Sequence, residues 1–173
     1  MNVICKPDIV TYNILITLAV KSGEITLAEE LREDMMRVGI RPESRTFMPL
    51  IDWYTSRNHL AAARRTFKSM SNIGVTPDLY QWNVLISMYS RLNRLEYAQS
   101  AYRNMINANI SPDGYTFVAL IKAATNSDNL QCATDYFFNE MQRQKVEPNV
   151  FTFGSVMDAY AHAGQWSRVE EVA

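Results

Sequence analysis

The sequence predicts an all-α fold of helical hairpins repeating about every 35 residues, and three observations carry that expectation. Prolines fall at 7, 42, 77, 112 and 148, a spacing of 35, 35, 35 and 36, and only Pro49 is out of step. Each of the five is followed by an acidic or amide residue and then by a segment with an aromatic at a fixed place: Tyr12, Phe47, Trp82, Phe117 and Phe153. Further along each unit a small residue and a methionine recur together, as Ile25, Ala28 and Met35, then Leu60, Ala63 and Met70, then Leu95, Ala98 and Met105. A fixed period of this length signals a repeat architecture.

Each unit holds two helices. The first spans 10–22, 45–57, 80–91, 115–127 and 151–163 in successive repeats; in repeat one Tyr12, Leu15, Ile16 and Ala19 recur at three- and four-residue steps and make one apolar stripe. Ser22-Gly23 is a natural stop, because glycine tolerates the left-handed conformation that closes a helix. The second helix carries the alanine and methionine series, with the alanine where two backbones come close. The residue after each proline (Asp8, Glu43, Asp78, Asp113, Asn149) is placed to cap the next first helix, since its side-chain oxygen can accept from free backbone amides at the helix start. Hairpins this short cannot bury an apolar face alone, so neighbouring units are expected to stack into one elongated α-solenoid domain over 1–173.

Three departures refine the pattern. Pro49 lies a turn or so inside the first helix of repeat two, where it removes an amide donor and should distort the helix start. Repeat four has one extra residue; the alanine-to-methionine step grows from seven to eight, which places the extra residue within 135–141 and predicts a local widening of helical pitch. In repeat five Val169 replaces the alanine and the chain stops at Ala173 in mid-helix, so further repeats are expected to follow.

Composition bounds the function. At 173 residues, 47% apolar and 20% charged, the chain has enough apolar mass for a core. A net charge of -1 announces no polyanion partner, so nucleic-acid binding has to be argued locally. Cys5 and Cys132 have no second cysteine or histidine at zinc-ligand spacing, which fits inert thiols in a reducing compartment. There is no apolar run long enough for a membrane span, and the first residues lack secretory or transit-peptide patterning. His59 and His162 are isolated in sequence, no Gly-rich phosphate loop appears and no paired acidic cluster is visible; no enzyme activity, cofactor or metal is expected.

The stretch Ile9-Val10-Thr11-Tyr12-Asn13-Ile14-Leu15-Ile16 with Lys21-Ser22-Gly23, and again Trp82-Asn83-Val84-Leu85-Ile86, resembles the pentatricopeptide-repeat family. The tetratricopeptide repeat shares the hairpin but has a 34-residue period and a Trp-Leu-Gly-Tyr signature that is missing here. On the resemblance, residues 9–43, 44–78, 79–113 and 114–149 are complete repeats of a right-handed solenoid, 150–173 a truncated one, and 1–8 the tail of another.

The resemblance implies binding of single-stranded RNA, one base per repeat, in organellar RNA processing, stability or translation, hence in a mitochondrion or chloroplast. The discriminating pair in the family is the residue after the aromatic with the residue after the terminal proline: here Asn13 with Glu43, Met48 with Asp78, Asn83 with Asp113, and Val118 with Asn149. Only Asn83 with Asp113 is a standard pair, and by resemblance it favours uracil; an amide both donates to and accepts from a base edge while a carboxylate orients it. Met48 and Val118 offer no strong hydrogen bond and Glu43 departs from the usual residue, so those repeats should discriminate weakly. The family sandwiches each base between residues at the second repeat position, here Val10, Arg45, Tyr80, Tyr115 and Phe151. Any one aromatic at helical spacing is more often core than platform, and only equivalence between repeats raises the surface reading.

First helices also hold Lys21, Arg45, Arg57, Arg91 and Lys122 against Asp52 and Asp158, and Lys21, Arg57 and Arg91 lie near helix ends where phosphates can be met. The alternative is a protein-binding or structural scaffold in an organellar ribonucleoprotein such as a mitochondrial ribosome. The poor code pairs and near-neutral charge favour that alternative; the aromatic series and basic first helices oppose it.

Overall fold

The computed structural model describes residues 7–165 and 167–168, and Cys5 and Val169 lie outside them. Among the described residues there is helix but no strand. The chain packs as two compact units, Met1–Pro77 and Asp78–Ala173.

The first unit contains α1 (Ile9–Lys21), α2 (Ile25–Arg37), α3 (Ser44–Ser56) and α4 (Leu60–Asn72). Here α1 packs on both α2 and α3, and α3 packs on α4. The second unit contains α5 (Leu79–Arg91), α6 (Leu95–Asn107), α7 (Gly114–Thr125), α8 (Leu130–Asp135), a π-helical turn at Tyr136–Glu140, α9 (Met141–Arg143) and α10 (Val150–His162). In it the first helices α5, α7 and α10 pack in series, with α6 and α8 along their flank. First helices begin one residue earlier than the apolar pattern suggests, because the helix starts directly after its cap.

The periodic residues are the core. Ala28 and Ala63 in the first unit, and Ala98 and Ala133 in the second, are all 0% exposed, and Met35, Met70, Met105 and Met141 are at most 1% exposed. A side chain larger than alanine at these contacts would have to displace a packed neighbour. Tyrosine hydroxyls tie helices together, within a hairpin where Tyr12 donates to Asp34 at 2.7 Å and between hairpins where Tyr54 donates to Glu29 and Tyr102 donates to Glu140 at 2.7 Å. Burial first, and then these bonds, push the Tyr54 and Tyr102 hydroxyls above the usual tyrosine value. Folded pKa values above the unfolded ones mean that these contacts stabilise fully below about pH 10 and less as pH rises further.

Turns follow the same period. The residue closing each first helix is left-handed: Gly23, Asn58, Asn93, Asp128 and Gly164, with φ between 53° and 82°. Glycine pays no steric penalty there, and Asn and Asp tolerate the region better than other side chains. A second left-handed position ends the second helices at Gly39, Gly74, Asn109 and Lys145.

The caps form as expected at Asp8, Asp78, Asp113 and Asn149, whose side chains accept from backbone amides in the first turn. Pro49 does not break α3, but it alters its opening. The Glu43 carbonyl accepts from Thr46 N at 2.9 Å, a tighter turn. In the other first helices the fourth residue, Tyr12, Trp82, Phe117 or Phe153, donates to the cap carbonyl. The proline ring crowds the carbonyl one turn earlier, at Arg45. The extra residue of repeat four is taken up by the π-helical turn at Tyr136–Glu140, inside the segment where the sequence places it.

Candidate nucleic-acid interface

Positions three apart on a helix share a face, so the second and fifth residues of each first helix lie side by side, while in α3, α5 and α7 the third and fourth turn inward. In the second unit the inward residues Gln81, Trp82, Thr116 and Phe117 are buried, and the outward residues Tyr80, Tyr115 and Phe151 are 51%, 72% and 69% exposed. In the first unit Val10 is 58% exposed and the Arg45 side chain 76% exposed. The aromatic series is therefore surface and not core. Beside it lie the fifth-position residues Asn13, Met48, Asn83 and Val118, all half-buried.

The second unit brings Asn83 and Asp113 together. Asn83 Nδ2 donates to Asp113 Oδ1 at 3.0 Å, and Asn83 Oδ1 accepts from the Thr116 hydroxyl at 2.6 Å. Asp113 Oδ1 also accepts from Thr116 N at 2.9 Å, so one carboxylate both caps α7 and holds the amide. Asn83 is left with one N–H and one oxygen lone pair, next to the exposed ring of Tyr80. Thr116 was not visible as a site residue in the sequence, since threonine before the aromatic reads only as motif.

Val118 and Asn149 are not joined by a hydrogen bond among the described residues. Asn149 Oδ1 accepts from Phe151 N at 3.0 Å and Thr152 N at 3.1 Å, which commits its oxygen to the cap of α10. Its Nδ2 lies 2.6 Å from where a Cβ on residue 114 would stand, so Gly114 is what leaves it room. That contact joins residues one repeat apart, and no local pattern signals it.

In the first unit Asn13 stays apart from Glu43. Asn13 Oδ1 is buried without a hydrogen-bond partner, and among the described residues no hydrogen bond joins the two side chains. Glu43 caps α3, its N–H donating to Thr46 Oγ1 at 3.1 Å, while its carboxylate lies 3.9 Å from Arg45 Nε. Met48 belongs to this unit, whereas Asp78 belongs to the second, where it caps α5 by accepting from Gln81 N at 2.9 Å.

The basic candidates are exposed at helix C-termini, where a cation also complements the helix dipole. Lys21 and Arg91 are the last residues of α1 and α5, and Arg57 is the residue after α3. Arg57 also lies over the Trp53 ring at 4.5 Å, and Arg91 Nη1 donates to Ser87 Oγ at 3.2 Å. The two histidines are not isolated: His59 meets Trp53 edge-on at 5.3 Å, and His162 Nε2 lies 2.9 Å from Asp128 Oδ1. Cys132 accepts from Gln99 Nε2 at 3.3 Å, and burial raises its thiol pKa. Among the described residues no group of three or more His, Cys, Asp and Glu can hold a metal, and no helix is long and apolar enough to cross a membrane.

Known structures share this fold. The chain aligns with the pentatricopeptide repeat protein PPR10 from maize at 20% identity and a TM-score of 0.74, over 96% of this chain and 24% of that one. It aligns at 20% identity and TM-score 0.71 with PPR10 in complex with an 18-nt psaJ RNA element, covering 97% of this chain and 25% of that chain. The PPR domain of Arabidopsis thaliana protein-only RNase P 1, in complex with tRNA, aligns at 15% identity and TM-score 0.72, over 91% of this chain and 82% of that one. The chain thus spans about a quarter of the maize protein's length. At these identities the likeness is one of fold. No curated protein sequence matches.

Family profiles reach further. The pentatricopeptide repeat domain profile matches residues 30–91 and 100–163, the PPR repeat family profile 7–52, and the PPR repeat profile 82–110. With paired helices on the proline period and profiles running over most of its length, the chain belongs to the pentatricopeptide-repeat family, and its fold class is the α-solenoid of helix-turn-helix repeats.

Proposed function

We propose that the chain binds single-stranded RNA, one base per repeat, in the register 9–43, 44–78, 79–113 and 114–149, within one solenoid. The observation that carries this reading is the hydrogen-bonded Asn83–Asp113 pair next to exposed Tyr80, with exposed Tyr115 one repeat on. A stacking platform beside a half-buried donor and acceptor is what a splayed base needs, since stacking on an aromatic is worth about 1 to 3 kcal/mol per base and edge hydrogen bonds select which base. Asn83 with Asp113 reads uracil. Asn13, Met48 and Val118, with Glu43, Asp78 and Asn149, discriminate weakly. Val10, Arg45, Tyr80, Tyr115 and Phe151 stack, and Lys21, Arg57 and Arg91 meet phosphates. That two related structures hold RNA supports the same partner class here. Transcript processing, stability or translation in a mitochondrion or chloroplast is the setting this reading implies.

The test is fluorescence-anisotropy titration of the chain with single-stranded RNA pools at two salt concentrations, beside an Asn83→Ala, Asp113→Ala double variant. Salt-sensitive binding, with uracil preference lost at one position in the variant, is expected. No binding at low salt overturns the reading and leaves the protein scaffold to be pursued.

A further inference from the structure

A helix that buries one stripe turns the opposite stripe to solvent. In α4 the buried side includes Ala63, Phe67 and Met70, and the exposed side holds Arg64, Arg65 and Lys68 with only Ala61, Ser71 and Asn72 around them. Arg64 and Lys68 stand one turn apart, about 6 Å along the axis, and Arg65 lies beside them. No large apolar residue shares that side.

The stretch around this helix is basic as well. No acidic residue lies between Asp52 and Asp78, while Arg57, Arg64, Arg65 and Lys68 all fall there, in a chain whose net charge is -1. Arg57 follows the end of α3, and α4 begins three residues on at Leu60, so the cations run from the C-terminal end of a first helix onto the outward side of the second. The hairpins before and after do not repeat this. At the places of Arg64, Arg65 and Lys68, α2 has Glu29, Glu30 and Glu33, and α6 has Gln99, Ser100 and Arg103.

Charge without apolar surface decides what such a face can hold. Exposed ion pairs contribute little each, so a protein docked here would need an apolar centre that α4 does not offer. A phosphate backbone needs none, because every phosphate neutralised releases condensed counterions. The carboxylates of α2, in the same unit, repel phosphates and confine them to α4. We propose that Arg64, Arg65 and Lys68, continuing from Arg57, form a second RNA contact that holds the sugar–phosphate backbone of the strand beyond the bases held by the first helices. The contact adds affinity and no sequence preference, since it is made to phosphate alone. It rests on the reading that the first helices bind single-stranded RNA.

The experiment titrates the whole chain with labelled RNA of about five nucleotides, one per repeat, and with the same RNA extended at both ends by about ten abasic nucleotides, which add backbone but no base to read. Each titration is run over a series of salt concentrations. Wild type is compared with Arg64→Gln/Arg65→Gln/Lys68→Gln and with Arg37→Gln/Arg103→Gln/Arg143→Gln, which loses the same charge elsewhere. Glutamine keeps the helix propensity of the residues it replaces. Wild type is expected to bind the extended RNA about tenfold or more tighter at low salt, with log K falling more steeply against log salt by about 2, as three cations on a single strand give. The α4 variant should lose that gain and that slope while holding the short RNA within about twofold of wild type, and the control variant should keep both. Arg64→Lys/Arg65→Lys, which keeps the charge, should also keep the gain. Equal losses in the α4 and control variants, or an extended RNA that wild type binds no tighter than the short one, overturn the proposal. Binding of polyglutamate that the α4 variant loses, with no change toward extended RNA, also overturns it and makes the partner an acidic protein. Short RNA that fails to bind while extended RNA binds through α4 sinks the base-reading register and leaves the outward contact standing; a wild type that binds neither sinks both.

Discussion

Asn13 and Asn83 stand at the same place in repeats one and three, each three residues from an outward second position and each followed one repeat later by a threonine at the third position. Yet Asn83 is bonded at both ends of its amide and Asn13 Oδ1 has no partner. The difference traces to the residue after the terminal proline. Asp113 is short enough to cap its helix and accept from Asn83 together, whereas Glu43, one methylene longer, has its carboxylate mostly exposed and leaning toward Arg45. The bonding of an asparagine at this position is therefore set as much by the repeat that follows as by its own helix.

The sharpest break in the comparison is to remove each amide in turn. Asn83→Ala is expected to weaken oligouridine binding about tenfold or more, since it removes a positioned donor and acceptor, and Asn13→Ala to change it by less than about threefold. Equal losses in the two titrations would mean that anchoring does not matter to reading.

Next in size is Pro49→Ala, which addresses the helix start that Glu43 caps. It returns an amide donor to the Arg45 carbonyl one turn earlier in α3, and thermal or urea unfolding should show a gain of about 1 to 3 kcal/mol, because an interior proline costs a helix about 3 kcal/mol. No gain would mean that the tighter opening at Thr46 has another cause.

Glu43→Asp tests whether the second reader can be built. Shortening the side chain removes its lean toward Arg45 and gives α3 the cap residue found at α5 and α7. The expected outcome is a several-fold gain in the oligouridine-to-oligocytidine ratio, on the scale of one added hydrogen bond to a charged group. The smallest effect belongs to Arg45→Gln. Its ion pair with Glu43 is exposed and 3.9 Å long, so unfolding should move by less than about 1 kcal/mol, and a larger loss would show that the pair organises the first unit.

Much of the fold could be read in advance because the repeat states its main features several times, the proline and its cap five times. The prolines, the caps, the Ala28, Ala63 and Ala98 contacts and even the widened pitch of repeat four follow from period and count alone. Of the candidate site, the pairing of Asn83 with Asp113 could be read from the sequence, and the outward placing of the aromatics only through their equivalence. Tyr115 and Phe117 are two residues apart in the same helix; one is 72% exposed and the other 0%, a distinction of angle that residue type does not carry. Thr116 and Gly114 were missed because their roles arise from contacts one repeat apart, with Asn83 and Asn149, and neither residue is unusual in its own repeat. Left-handed turns filled by Asn58, Asn93, Asp128 and Lys145 escaped a rule that looks for glycine.

The π-helical turn at Tyr136–Glu140 has a consequence for how such a chain can vary in length. In an unbroken α-helix, one inserted residue rotates everything after it by about 100°, which would carry Met141 out of the core and turn later side chains away from their partners. Here Met141 remains 1% exposed and Asn149 still caps α10. The second helix works as an expansion joint: a longer repeat costs one loosened turn on the flank, while the core methionine and the cap of the following first helix keep their places.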